Sequence, residues 1–156
     1  MENNNVRRIS SFSVDHNLID EGIYVSRIDG DITTYDMRTR KPNMDDYMDN
    51  ITMHSVEHMF ATYIRNSSIG ADVIYFGPMG CRTGFYLLVR NADNDVVLAE
   101  VKAVLSKIAF DSTEMFGASR VECGNYRELS LDSAKIEAKR YLDALNSREQ
   151  TFMYKG

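Results

Sequence analysis

His54 and His58 stand four residues apart with Glu57 between them, in the order His-x-x-Glu-His. On a helix each residue turns about 100°, so the two imidazoles would lie about 40° apart, one above the other. Glu57 would fall about 60° to the other side of His54, on the same flank. Val56, Met59, Phe60, Tyr63 and Ile64 would point mostly the opposite way. The stretch thus offers an apolar face to a core and a His/Glu/His face to other work. Two imidazoles at this spacing can take two corners of a tetrahedral metal site, with a carboxylate or thiolate as third ligand and an open fourth position for chemistry. The order is also the inverted form of the zinc peptidase signature. The plainer alternative is a solvated face that happens to carry two imidazoles.

A thiolate is a soft, strong ligand for such a metal, and the chain has two cysteines, Cys81 and Cys123. They are too few and too far apart for a disulfide scaffold, and neither lies in a Cys-x-x-Cys motif. Cys81 sits in the Gly-rich "GPMGCRTG" beside Arg82, Cys123 in "VECGNYREL". Spacing alone barely separates them as the third ligand, and two buried, inert thiols is the simpler reading of both. A cation or metal near Cys81 would favour its thiolate. Gly77, Gly80 and Gly84 would let the backbone approach a ligand closely.

The elements that must hold these residues follow from periodicity. Gly22 to Arg38 alternates apolar and polar on both sides of Asp29-Gly30, which predicts a hairpin turning at that pair with both turn positions at positive φ. "MDDYMDN" reads as a loop, and a helix is expected from about Thr52 to Asn66. "ADVIYFG" and "GFYLLVR" are rich in β-branched and aromatic residues and read as two more strands. Val97, Val101, Val104, Leu105 and Ile108 repeat at helical spacing from Asp95 to Phe110. Asp132 or Ser133 would cap a last helix carrying Ala134, Ala138, Tyr141, Leu142 and Leu145 on one face. A tight hairpin within mixed elements favours an α+β fold, with a mainly antiparallel sheet and helices packed on one face.

The 156 residues fit one domain, 1–156, whose first ten residues are expected to be flexible. The net charge of −5 is spread without a basic run, which argues against nucleic acid as a partner. No stretch is apolar enough for a membrane span, and "MENNNVRRISS" has no apolar run of a secretory signal. A soluble, cytoplasmic protein is the expectation.

Five motifs in one order carry a resemblance: "SFSVDHN", "YDMRTRKPN", "HSVEHMFATYIRN", "GPMGCRTGFYL" and "ECGNYREL". From about Ser11 to the last helix the chain resembles S-ribosylhomocysteine lyase, the family that makes the precursor of the quorum-sensing signal autoinducer-2. The resemblance implies metal ligands at His54, His58 and Cys123 and an acid–base pair at Glu57 and Cys81. It implies substrate contacts at Ser11, His16 and Arg38. It also implies a four-stranded antiparallel sheet flanked by helices, a homodimer with active sites at the interface, and one divalent metal per subunit. Ferrous iron would be the working metal, with zinc or cobalt in some preparations. The substrate would be S-ribosylhomocysteine, cleaved to homocysteine and 4,5-dihydroxy-2,3-pentanedione in the course of methionine recycling.

Four positions depart from the family's habit. Thr39 stands where an aromatic residue is usual, Lys41 in place of glutamine, Gly77 in place of serine, and Tyr75 where many members carry an acidic residue. They bear on substrate grip rather than on the reaction. A small metallopeptidase would leave "GPMGCRTGFYL" idle, and a nucleobase deaminase would need His-x-Glu and Pro-Cys-x-x-Cys, which are absent. A non-catalytic metal-binding signalling module would have no use for Glu57 and Cys81 together.

Overall fold

The computed structural model describes residues 6–9 and 12–155. The expected flexible start, residues 1–10, falls largely outside them, and so does Ser11. Strands β1 (Gly22–Asp29) and β2 (Ile32–Arg38) form the expected hairpin. The turn lies one residue later than the sequence suggests. Asp29 pairs with Ile32, so Gly30 and Asp31 are the loop, and of these only Gly30 has a positive φ, +61°. A two-residue loop with glycine first needs just one left-handed position, which releases Asp29 to close the ladder.

Helix α1 (Asn50–Arg65) follows, then β3 (Val73–Pro78), β4 (Gly84–Arg90), α2 (Asn94–Ser106) and α3 (Leu131–Asn146). The four strands form one antiparallel sheet in the order β1-β2-β4-β3. This is the expected α+β architecture, a single domain with a four-stranded sheet and three helices. Alternation along β4 sends Phe85, Leu87 and Val89 into the core and leaves Tyr86 and Leu88 on the other face. The core layer meets Met59 and Phe60 of α1, Val101 of α2 and Tyr141 of α3. Phe60, Phe76 and Phe85 stack in series, with ring centroids 4.4 and 5.0 Å apart.

Two helix boundaries differ from expectation. Ser130, rather than Asp132 or Ser133, caps α3 by accepting the Ser133 N–H at 3.2 Å. After Ser106 the second helix widens into a π turn, Lys107–Asp111. The buried Ser112 hydroxyl donates to the Lys107 carbonyl there and contacts the Tyr63 hydroxyl, so a side chain closes the last turn. The final residues return to β1: Val25 N–H donates to the Phe152 carbonyl at 2.9 Å, and Tyr24 stacks on Tyr154.

Candidate metal centre and the cysteine turn

Helix α1 begins at Asp49, whose carboxylate accepts the Thr52 N–H at 2.7 Å. This cap starts the helix a turn before His54 and places the apolar stripe as expected, with Val56, Met59, Phe60 and Ile64 buried. His54, Glu57 and His58 are half-buried at its edge. The imidazoles are held from behind. His54 Nδ1 lies 2.8 Å from the Glu128 carbonyl, and His58 Nδ1 lies 3.0 Å from the Phe116 carbonyl. A carbonyl can only accept, so each Nδ1 carries the proton and each Nε2 presents a lone pair.

Those lone pairs meet Cys123. Its Sγ lies 3.4 Å from His54 Nε2, and ligand atoms of His54, His58 and Cys123 lie within 4.8 Å of one another. The Cys123 loop has no helix or strand of its own, yet it is pinned at both ends. Ser130 N–H donates to the buried Ser55 hydroxyl on α1 at 2.8 Å, and Phe116 N–H reaches the Met59 sulfur at 3.5 Å. Asn125 N–H donates to Cys123 Sγ at 3.4 Å. Two nitrogens, one sulfur and carbonyl-oriented imidazoles suit a divalent metal with an open fourth position.

Glu57 opens into a groove of about 310 Å³ shared with His54, Met53, Pro78 and Asn125. Its carboxylate has no hydrogen-bond or ion-pair partner among the described residues, which leaves it available to carry protons.

Cys81 lies in the turn between β3 and β4, exposed, with its sulfur 3.0 Å from the Thr83 hydroxyl. Neither cysteine is fully buried. The charged neighbour differs from the one adjacency suggests. Arg82 takes a positive φ of +64° and lies over the Tyr47 ring, reaching the Met48 carbonyl. The cation joined to Cys81 by hydrogen bonds is Arg38, through the Thr83 hydroxyl. Arg38 is 2% exposed, and its guanidinium donates to Asp36 through Nε (3.1 Å) and Nη2 (2.7 Å) and to Thr83 Oγ1 through Nη1 (2.9 Å). Burial acts to strip its proton, but the Asp36 hydrogen bonds and charge outweigh that and hold it above the ordinary arginine value. No hydrogen bond, ring contact or ion pair between described residues joins this cluster to the metal ligands.

His16 shares a cavity of only about 10 Å³ with Asp36, Arg38 and Tyr154, room for about one water. Its Nδ1 lies 2.9 Å from the Val14 carbonyl. Asp15 does not pair with it but accepts the Asn17 N–H. Of the three glycines read as ligand approaches, two make room for the protein itself. A Cβ at Gly84 would stand 2.5 Å from the Met37 carbonyl, and one at Gly77 would stand 2.1 Å from the Tyr75 hydroxyl. Tyr75 folds over position 77, so a side chain there would require the Tyr75 ring to move.

Sequence reasoning missed Asp36, Thr83, Tyr154 and Gly117, at which a Cβ would stand 2.8 Å from His58 Nδ1. Asp36 was findable, because residues two apart on a strand share a face and a buried arginine needs a carboxylate. Tyr154 gave no local signal.

Residues 9–152 match the S-ribosylhomocysteinase (LuxS) family. The chain belongs to that family. It is 41% identical to the S-ribosylhomocysteine lyase of Borreliella afzelii (strain PKo) over 156 residues, covering 96% of this chain and 99% of the relative. With the lyase of Finegoldia magna the identity is 38%, and with that of Clostridium beijerinckii 39%, each again covering 96% of this chain and 99% of the relative. This member of the S-ribosylhomocysteinase family is accordingly an enzyme, a carbon–sulfur lyase. No helix among its described residues is long and apolar enough to cross a membrane.

Proposed function

We propose that the chain cleaves S-ribosylhomocysteine to homocysteine and 4,5-dihydroxy-2,3-pentanedione, the precursor of autoinducer-2. The observation that carries this reading is the His54–His58–Cys123 cluster with the unpartnered Glu57 beside it, in a chain of this family. The ring-opened sugar aldehyde is isomerised to a 2-ketone and then a 3-ketone, after which the thioether is expelled. Every stage removes a proton beside a carbonyl. His54, His58 and Cys123 would hold a divalent metal, ferrous iron in the cell, which would supply Lewis-acid polarisation worth several kcal/mol of charge stabilisation.

The protons belong to the side chains. Cys81, as a thiolate, takes a carbon-bound proton and returns it one carbon further along. Glu57 moves protons on the oxygens and protonates the sulfur as it leaves. His16 and Ser11 contact the substrate, as do the two Nη protons of Arg38 that are not committed to Asp36 and Thr83. The working unit is a cytoplasmic homodimer with both active sites at the subunit interface, and each chain is one domain.

The test is release of free thiol from S-ribosylhomocysteine by anaerobically purified, iron- or cobalt-loaded protein. Wild type is expected to release homocysteine, while Cys81→Ala and metal-stripped protein release none. No release from protein holding one metal per chain would overturn the substrate assignment. Turnover by metal-replete Cys81→Ala would overturn the role of Cys81.

A further inference from the structure

Thr83 is a buried hydroxyl that the reaction above does not use. It is 1% exposed, at the mouth of β4, and two side chains converge on its oxygen. Arg38 Nη1 lies 2.9 Å away and Cys81 Sγ lies 3.0 Å away. A guanidinium can only donate, whereas a threonine hydroxyl has one proton and two lone pairs. One lone pair is therefore taken by Arg38, and the hydroxyl proton is left for the sulfur, the other side-chain partner in reach among the described residues. The Thr83 carbonyl accepts the N–H groups of Thr39 and Arg40, both at 3.0 Å, so the residue is fixed by its backbone as well. Behind Arg38 stands Asp36, which also accepts the Tyr154 hydroxyl at 2.7 Å. An unbroken chain thus runs from the half-buried Tyr154 through the buried Asp36, Arg38 and Thr83 to the exposed Cys81.

We propose that Thr83 is a positioning residue for Cys81: its hydroxyl, oriented by Arg38, donates to the sulfur, fixing the side chain and supporting its charged form. A hydrogen bond to a charged acceptor is roughly twice as strong as one between neutral groups, so the contact acts when the sulfur is a thiolate. It also occupies one side of the sulfur and leaves the solvent side for substrate. This inference rests on the reading of Cys81 as an acid–base group. A merely structural Thr83, present only to satisfy a buried arginine proton, would matter for folding and not for the sulfur.

Thr83→Val keeps the shape and removes the hydroxyl, and Thr83→Ser keeps the hydroxyl. In metal-loaded protein, iodoacetamide labelling followed by peptide mass mapping reads Cys81, with Cys123 on the same chain as internal control. Thr83→Val is expected to slow Cys81 labelling and to lower kcat for thiol release, each by about tenfold, with KM within about threefold. Thr83→Ser should recover most of both losses, and Cys123 labelling should not change. If Thr83→Val does not fold, Thr83→Ala, which leaves space for a water beside Arg38, is read in the same way. Folded Thr83→Val or Thr83→Ala with wild-type labelling and kcat would overturn the inference. Cys81→Ala separates the two claims. If it still turns over, the acid–base reading fails, and if it is dead while the Thr83 variants behave as wild type, only the role of Thr83 fails.

Discussion

Gly117 shows how closely the metal-ligand geometry is specified residue by residue. Its φ is +67°, and a Cβ there would stand 2.8 Å from His58 Nδ1, the nitrogen that donates to the Phe116 carbonyl next door. Gly117→Ala therefore combines backbone strain with displacement of a ligand's orienting contact. The expected outcome is a loss of metal affinity of about 10- to 100-fold, the usual cost of an outer partner. It is checked by competition with a chromogenic chelator, and an unchanged affinity would show that His58 needs no such support. The residues with periodic spacing were legible in the chain, because His54, Glu57 and His58 share one helix and their geometry is local. Cys123 was not separable from Cys81 by spacing, since a loop of some twenty residues brings it to α1 and only the resemblance distinguished them. Thr83 and Gly117 were silent for the same physical reason. Their roles depend on contacts with Arg38 and His58, 45 and 59 positions away in the chain, and no local pattern encodes such a meeting.

At the scale of elements, α1 carries two of the three candidate metal ligands and packs into the core, so its start has consequences for both. Asp49 caps it, and the Thr52 N–H, with its hydroxyl, holds the Asp49 carboxyl below its ordinary value. A lowered folded-state pKa means that the cap's contribution is fully present above the unfolded value of about 3.8. It is lost as pH falls through the lower folded-state value. Asp49→Ala is thus expected to cost about 1 kcal/mol at pH 7, as helix caps usually do. The gap between variant and wild type should narrow in urea titrations run near pH 3, while a constant gap would deny the carboxylate its role. The sequence placed this helix two residues late, because Thr52 looked like its beginning and Asp49 lay in a stretch read as loop. The hairpin and α3 were found with similar offsets at Gly30 and Ser130. Periodicity locates the middle of an element, whereas its end is decided by which side chain reaches a free N–H. The π turn was invisible because Ile108 fits either helical period, and the Ser112 hydroxyl decides between them.

Among the described residues, the three α-helices pack on one face of the sheet and none on the other. On the uncovered face Ile9, Tyr75, Tyr86 and Leu88 line an apolar groove of about 310 Å³, and Tyr75 remains 51% exposed. Ser26 and Tyr86 border both this groove and the small cavity of His16 and Arg38, so the open face runs directly into the residues assigned to the substrate. A second copy laid on this face would bury the patch and add its own surface beside His16 and Arg38, where one chain leaves only about 10 Å³. Metal binding and turnover would then separate. All three candidate metal ligands come from one chain, so a monomer should bind a metal, whereas in the proposed dimer the complete pocket would need two chains. Leu88→Glu sets an unpaired charge on the patch without touching the core face of β4, and burying that charge costs several kcal/mol. The expected result is sedimentation at the mass of one chain, near-wild-type metal content and thiol release reduced by at least about tenfold. A variant that stays dimeric would move the interface elsewhere. A monomer that turns over normally would show that a single chain holds the whole site, with Cys81 reaching the metal centre of its own subunit.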